Sequence, residues 1–304
     1  MLGSTAARAA ADDDITAVSS RVSDDYVRAK LANGSFPIET YAFGEGGKSG
    51  EAGPDVSLDK LKFLDVARTI AAPLANQNYL PTKDPKETRL LIMVYWGRTA
   101  GVHGASGSAA YQNLSAANQH VSSARSAAAS AAALPHGGPA TVGAGGSSEQ
   151  VMAAVQQEAA DAEFASALAV TEMENRQRDK ADWKNAGVLG YDTDLAESKA
   201  LELTPLRMRH QDLIDDLEDD RYFVVLMAYD FQLMWKEKKP KLLWETRFSI
   251  RERGNAFDQQ LAAMAQYASQ YFGQNSRGLI REPLREGEVK VGTPTVVEDT
   301  PVKK

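Results

Sequence analysis

A chain of 304 residues with 43% apolar and 25% charged side chains is long enough for one large domain or two small ones, and apolar enough to build a core. Its 34 basic and 41 acidic residues leave a net charge of -7, which opposes attraction to nucleic acid and to anionic lipid. The absence of cysteine excludes disulfides, thiolate nucleophiles, cysteine-held zinc, iron–sulfur clusters and lipid attachment through cysteine, and no apolar run reaches the roughly 18 residues that would mark a transmembrane segment.

Met1 to Ala11 is rich in small residues, contains Ala7-Arg8-Ala9 and precedes Asp12, Asp13 and Asp14. This is the composition of the cleavage end of a secretory signal, without its apolar stretch. Segment 1–35 therefore reads as the remnant of an export signal followed by mobile chain, or as a small-residue tail. Residues 36–97 read as the first half of an α+β domain. Phe36 to Gly44 is a strand candidate. Ser57 is a plausible N-cap for a helix that carries Leu58, Leu61, Leu64, Ala67, Ile70 and Leu74 on one face, with Pro73 near its end. After a turn at Asn76 to Pro85, the continuous run Leu90 to Trp96 suits a strand buried on both faces.

Residues 98–147 are dominated by alanine, serine and glycine and read as a mobile linker with at most transient helix. A helical insertion follows at 148–220. Ser147 and Gln150 resemble a capping box, and an alanine-dominated stripe with Val151, Val155, Phe164 and Leu168 suits contact with the core or with a partner. Thr204-Pro205 opens a second helix with Leu206, Leu213, Ile214 and Leu217 inward.

Residues 221–278 form the second half of the domain. Tyr222 to Trp235 and Lys241 to Arg251 read as an antiparallel hairpin. In its second strand, Leu242, Trp244, Thr246, Phe248 and Ile250 share one face, opposite Glu245, Arg247, Ser249 and Arg251. Asn255 caps a final helix carrying Phe257, Leu261, Met264, Ala265, Ala268, Tyr271 and Phe272. Residues 279–304 read as a disordered tail. The expected fold is thus α+β: a mainly antiparallel sheet of about four strands, packed on one face by two helices, with a long helical and low-complexity insertion.

The segments "IETYAF", "RLLIMVYWG" and "VVLMAYDFQLMWKEKKPKLLWETRFSI" resemble a bacterial domain of unknown function found in exported lipoproteins and other envelope proteins. The resemblance covers about half the chain. It implies an envelope location, periplasmic or outer-membrane associated, without implying an activity. The insertion is longer than in that family, and the lipidation cysteine is missing.

The sharpest chemical lead is Ala42-Phe43-Gly44-Glu45-Gly46-Gly47-Lys48-Ser49, a relaxed phosphate-loop pattern. In that reading Lys48 reaches phosphate oxygens, Ser49 holds magnesium, and Asp230 is the second magnesium ligand. Gly50, Gly53 and Pro54 argue against it, because a phosphate loop leads directly into a helix. The acidic run Asp212, Asp215, Asp216, Glu218, Asp219 and Asp220 lacks the glycine turn of a calcium loop and reads as a solvated helix face. All four histidines, His103, His120, His136 and His210, fall in the insertion, with no metal-pair spacing. Trp96, Trp235 and Trp244, with Tyr95, Tyr229 and Phe231, suit core and sheet-face packing or the lining of a ligand cleft.

These observations point to a non-enzymatic envelope protein with no catalytic residue, metal or cofactor, which binds another protein or self-associates through the insertion. A cytoplasmic nucleotide-binding protein using Lys48, Ser49 and Asp230 is the alternative, and a small apolar-ligand carrier is a second.

Overall fold

The computed structural model describes residues 15–49, 53–102, 104, 107–133, 148–200 and 204–283. Its centre is a seven-stranded mixed sheet. The strands, in chain order, are β1 (Ile15–Val22), β2 (Glu39–Ser49), β3 (Tyr79–Pro81), β4 (Leu90–Arg98), β5 (Arg221–Asp230), β6 (Leu242–Arg251) and β7 (Ile280–Pro283). Across the sheet they run β3-β2-β4-β5-β6-β1-β7. β2 is parallel to both β3 and β4, and the remaining neighbours are antiparallel.

The helices among the described residues are α1 (Val56–Asp59), α2 (Phe63–Asn76), α3 (Ala109–Ala132), α4 (Ser148–Leu189), α5 (Asp192–Ala200), α6 (Thr204–Glu218), α7 (Phe231–Glu237) and α8 (Phe257–Ala268). The expected sheet of about four mainly antiparallel strands with two helices on one face is thereby corrected to seven mixed strands and eight helices. Two of the extra strands lie in stretches read as structureless. β1 takes Ile15–Val22 into the sheet between β6 and β7, and β7 begins the stretch read as a tail. Strands at the margin of a sheet are specified by pairing in the finished sheet more than by their own composition.

The single helix expected from Ser57 is two. Asp55, not Ser57, caps α1, accepting from Leu58 N at 2.8 Å, and the chain breaks at Lys60 to Lys62 before α2 begins. Leu58, Ala67, Ile70 and Leu74 are buried as the spacing predicts, but Leu64 faces outward and Val66, outside the expected stripe, is buried. Ser57 serves another helix: its Oγ accepts from Phe257 N, 3.0 Å away, at the start of α8. β5 and β6 pair antiparallel as expected, but the first strand stops at Asp230 and Phe231 to Trp235, read as part of it, belongs to the seven-residue α7 that connects the two.

Two hydrophobic cores lie on opposite faces of the sheet. The first joins Tyr41, Ile92, Val94, Val224, Leu226, Trp244 and Phe248 to α2 and α8. Trp244 stacks on Phe272 there, with ring centroids 6.0 Å apart. The second joins Ala17, Phe223 and Val225 to Ala186 and Leu189 of α4, to Tyr191 and Leu195, and to Leu213 and Leu217 of α6. The strand buried on both faces is therefore β5 rather than β4, which alternates between buried and half-buried residues. Gly190, at φ +80°, ends α4 in the left-handed conformation, and the amides of Gly190 and Tyr191 both donate to the Ala186 carbonyl. The turn drops Tyr191 onto the sheet, where no part of its side chain meets solvent.

The insertion thus has two parts. Its root, from about Arg178 onward, is part of the domain core. Its outer part is a helical hairpin of α3 against the N-terminal two thirds of α4. Ala109–Ala132, within the stretch read as a linker, is a 24-residue helix; residues 134–147 lie outside the described residues. At 42 residues, α4 is about 63 Å long, far more than the sheet can cover.

Candidate functional site

The phosphate-loop lead resolves into sheet structure. Residues 42–49 are strand, paired in parallel with β4 from Leu91 to Gly97. The register slips between Glu45 and Gly47, so the glycines mark a β-bulge. Their small size has a local cause: a β-carbon at Gly46 would come within 2.5 Å of the Tyr95 ring, and one at Gly44 within 2.3 Å of the Met93 sulfur. Lys48 pairs with the exposed carboxylate of Asp59. Asp230 caps α7, accepting from Leu233 N at 2.9 Å. Lys48 is level with Trp96 and Asp230 with Leu90, at opposite ends of β4 and roughly 20 Å apart. Lys48, Ser49 and Asp230 are therefore not brought together, and the extended backbone of 42–49 does not curl its amides around an anion.

A polar cleft of about 680 Å³ opens at one end of the sheet, lined among others by Asp55, Ser57, Tyr222, Glu252 and Asn255. Its groups are engaged with one another. Tyr222 donates to Asp55 Oδ2 at 2.6 Å, Ser57 donates to Asp55 Oδ1 at 2.7 Å, and Arg98 pairs with Glu252. Burial and the Asp55 hydrogen bond push the Tyr222 phenol up to about 12. Burial alone would raise the Asp55 carboxyl, but the bonds from Ser57, Tyr222 and Leu58 outweigh it and hold the acid below its ordinary range. A phenol held protonated against an ionised, fully engaged carboxylate ties α1 and α8 to the sheet; it does not make a proton donor poised near neutrality.

The acidic run at the end of α6, read as a solvated face, is a clasp. Asp216 is buried and meets three arginines from three strands: Arg221 of β5 at 3.0 Å, Arg251 of β6 at 3.1 Å and Arg281 of β7 at 2.6 Å. Burial would raise its pKa, but the arginines together lower it. Asp219 pairs with Arg251 at 3.1 Å, Asp220 accepts from Gly101 N at 2.7 Å, and Glu218 lies 3.5 Å from Arg178 of α4. Negative charge at a helix C-terminus is unfavourable alone, and these cations offset it. The sequence showed the acids as a run but scattered their arginine partners over 104 positions, from 178 to 281, so only the fold unites them.

At the root of α4, Asp182 is buried, and its Oδ1 has no hydrogen-bond partner among the described residues. Burial first, then Glu218 and Asp179, push its carboxyl up to about 6 against the pull of Arg178. Asn185 donates to the carbonyls of Ala100 and Leu217, at 3.0 and 3.1 Å, and so joins α4 to both ends of the sheet connection.

Beyond that root the hairpin is held by its own seam. On α3 the residues turned inward are Ala110, Leu114, Ala117, Val121, Ala124, Ala128 and Ala131; on α4 they run Ala153, Gln157, Ala160, Phe164, Ala167, Thr171 and Glu174. Spacings of three and four alternate throughout both, the seven-residue repeat of a coiled coil. The helices are antiparallel: Thr171 Oγ1 donates to the Ala110 carbonyl at 3.2 Å, and nearer the tip His120 Nδ1 lies 3.2 Å from Glu163. The repeat was present in the sequence but obscured, because alanine fills both seam and surface.

The outward faces of the two helices differ. On α3 the positions opposite the seam are Ala109, Gln112, Ala116, Gln119, Ser123, Ser126 and Ser130, mostly polar. On α4 they are Met152, Val155, Ala159, Ala162, Ser166, Ala169 and Met173, all exposed and none charged. Val155 is 56% and Met173 61% exposed, where a solvated helix carries polar groups.

Among the described residues no group of three histidine or acidic side chains could hold a metal ion. His210 bonds Ser198 at 3.0 Å, and His103 and His136 lie outside the described residues. Trp96 and Trp244 are core residues, while Trp235 is exposed and stacks on Phe231 at 5.8 Å. No helix among the described residues is long and apolar enough to cross a membrane. Neither a family model nor a curated protein matches the chain.

Proposed function

We propose that this chain is a non-enzymatic binding or assembly protein of the cell envelope, in which a rigid sheet domain holds out a helical arm to a protein partner or to another copy of itself. The observation that carries the reading is the uncharged outward face of α4 from Met152 to Met173, on a hairpin that the fold of the sheet does not need. An apolar strip that starts about 8 Å beyond the root at Arg178 and runs out to about 39 Å from it costs solubility and gains nothing for the domain, so its use lies in contact with something else. The polar groups of the cleft and the clasp support the same reading, because they are committed to joining elements of the fold. The envelope location rests on the resemblance of the sheet segments to exported proteins.

The test is a shortened chain in which residues 112–169 give way to a brief glycine-containing turn, leaving the root intact. It should keep its sheet and its cooperative unfolding while losing association. A shortened chain that binds as the full chain does would remove the arm from the account.

A further inference from the structure

We infer that the occupant of the outward face of α4 is the same face of a second copy, laid antiparallel across a two-fold axis near Ala162. The inference rests on the arm reading above and adds the identity and orientation of the partner.

Three features of the strip lead there. The first is its period. Met152, Val155, Ala159, Ala162, Ser166, Ala169 and Met173 are spaced three and four residues in alternation, which repeats every 3.5 residues on average. A helix already supercoiled with α3 keeps such a strip on one line, and the surface that follows that line is another supercoiled helix.

The second feature is symmetry. Ala162 stands at the middle; Met152 lies ten residues before it and Met173 eleven after. Antiparallel apposition sets Met152 against Met173 of the second copy and Val155 against Ala169, while Ala159, Ala162 and Ser166 meet at the centre, where small side chains let backbones approach. A two-fold interface requires one patch to complement itself in this way.

The third is charge. From Ser148 to Asn175 the helix has no lysine or arginine, and the strip is bordered by Glu149, Glu158, Glu163 and Glu172. Parallel copies in register would set each acid beside itself. The antiparallel arrangement instead puts Glu158 level with Ala167 and Glu149 level with Arg176, the first cation of α4, which already contacts Glu172 of its own helix at 3.4 Å. Glu163 alone falls beside its own copy, and its carboxylate already lies 3.2 Å from His120 Nδ1 of the same hairpin. The strip is roughly 33 Å long, one helix face against another, which places the contact among the smaller interfaces.

Sedimentation velocity on the full chain, from about 1 to 200 µM, reads the result. Wild type should pass from monomer to dimer. Ala162→Glu, an exposed change to a good helix former, should weaken the dimer at least tenfold with unchanged helical circular dichroism. Orientation is tested by Met152→Glu, Met173→Lys and the double variant. In an antiparallel pair each introduced acid meets an introduced base, so the double variant should dimerise better than either single one. A double variant no better than the singles overturns the antiparallel arrangement, and a wild type that stays monomeric, or a dimer indifferent to Ala162→Glu, overturns the inference. Photocrosslinking from position 155, with position 119 on α3 as control, in the native host separates this failure from that of the arm reading. An adduct of twice the chain mass supports the inference, and an adduct with another protein at 155 alone retains the arm but removes the second copy. Equal yields at both positions remove both.

Discussion

The root and the arm of the insertion are continuous in α4, yet they are held by different physics. At the root, Ala186, Leu189, Tyr191 and Leu195 are buried against β1 and β5, and Asp216 binds three strands through arginines. In the arm, alanine faces alanine, and the only large apolar seam residues of the two helices, Leu114, Val121 and Phe164, leave one helix leaning on one other. Burial of large side chains stabilises by about 1.5–3 kcal/mol each, alanines by far less. The root therefore belongs to the cooperative fold, while the arm is a lightly held extension whose free face is its most apolar feature.

The contrast can be broken most forcefully at Tyr191. Tyr191→Ala should cost about 4 kcal/mol in urea unfolding, as for other large core truncations, whereas Phe164→Ala in the arm should leave the global midpoint nearly unchanged and lower only the helical signal. Equal shifts would make root and arm one cooperative unit. Next is the clasp. Asp216→Asn leaves Arg221, 2% exposed at its side chain, without its carboxylate, and should cost about 3 kcal/mol near neutrality. Because the pKa of Asp216 is lowered in the fold, its stabilisation is complete above the ordinary carboxylate range and fades as pH falls through the folded value. The deficit of the variant should shrink accordingly in acid.

Asp182 sharpens the comparison with the opposite sign. Its pKa is raised to about 6, so folding favours its protonated form, and stability that is full below about 4 declines as pH rises to about 6. Asp182→Asn should remove that slope and stabilise the protein by about 1 kcal/mol at pH 7. A wild type flat between pH 4 and 6 would contradict the burial argument. Smallest of all is Lys48→Ala, which should move neither the unfolding midpoint nor, by equilibrium dialysis, any retention of magnesium nucleotide, since Lys48 sits on a strand with an exposed partner.

How much of this was legible follows from where each signal lay. The hairpin of β5 and β6 could be read because Trp244, Thr246, Phe248 and Ile250 alternate cleanly with polar residues. The stripes of α2 and α8 could be read because large apolar residues recur at helical spacing. β1 and β7 could not, because strands at a sheet's margin depend on neighbours remote in sequence: Ala17 pairs with Ser249 and Arg281. The second core was missed for the same reason, since nothing in the run Leu189 to Leu195 says which surface Tyr191 will meet. Gly44 to Lys48 misled because a bulge under Tyr95 and a phosphate loop both need residues without side chains. The helix of α4 could be read from residue 148 onward, but α3 was hidden by its composition: an alanine-rich stretch reads as featureless until its partner helix reveals which alanines are buried.

Hydrogen exchange on the full chain at two concentrations, below and above association, tests the central claim most directly. Root peptides around Asn185 to Leu195 and Tyr222 to Ala228 should be strongly protected at both, whereas α4 from Met152 to Met173 should exchange readily when dilute and gain protection when concentrated. Protection of that stretch equal to the root's at every concentration would contradict the account, because the arm would then be part of the fold and its outward face would have no work left to do.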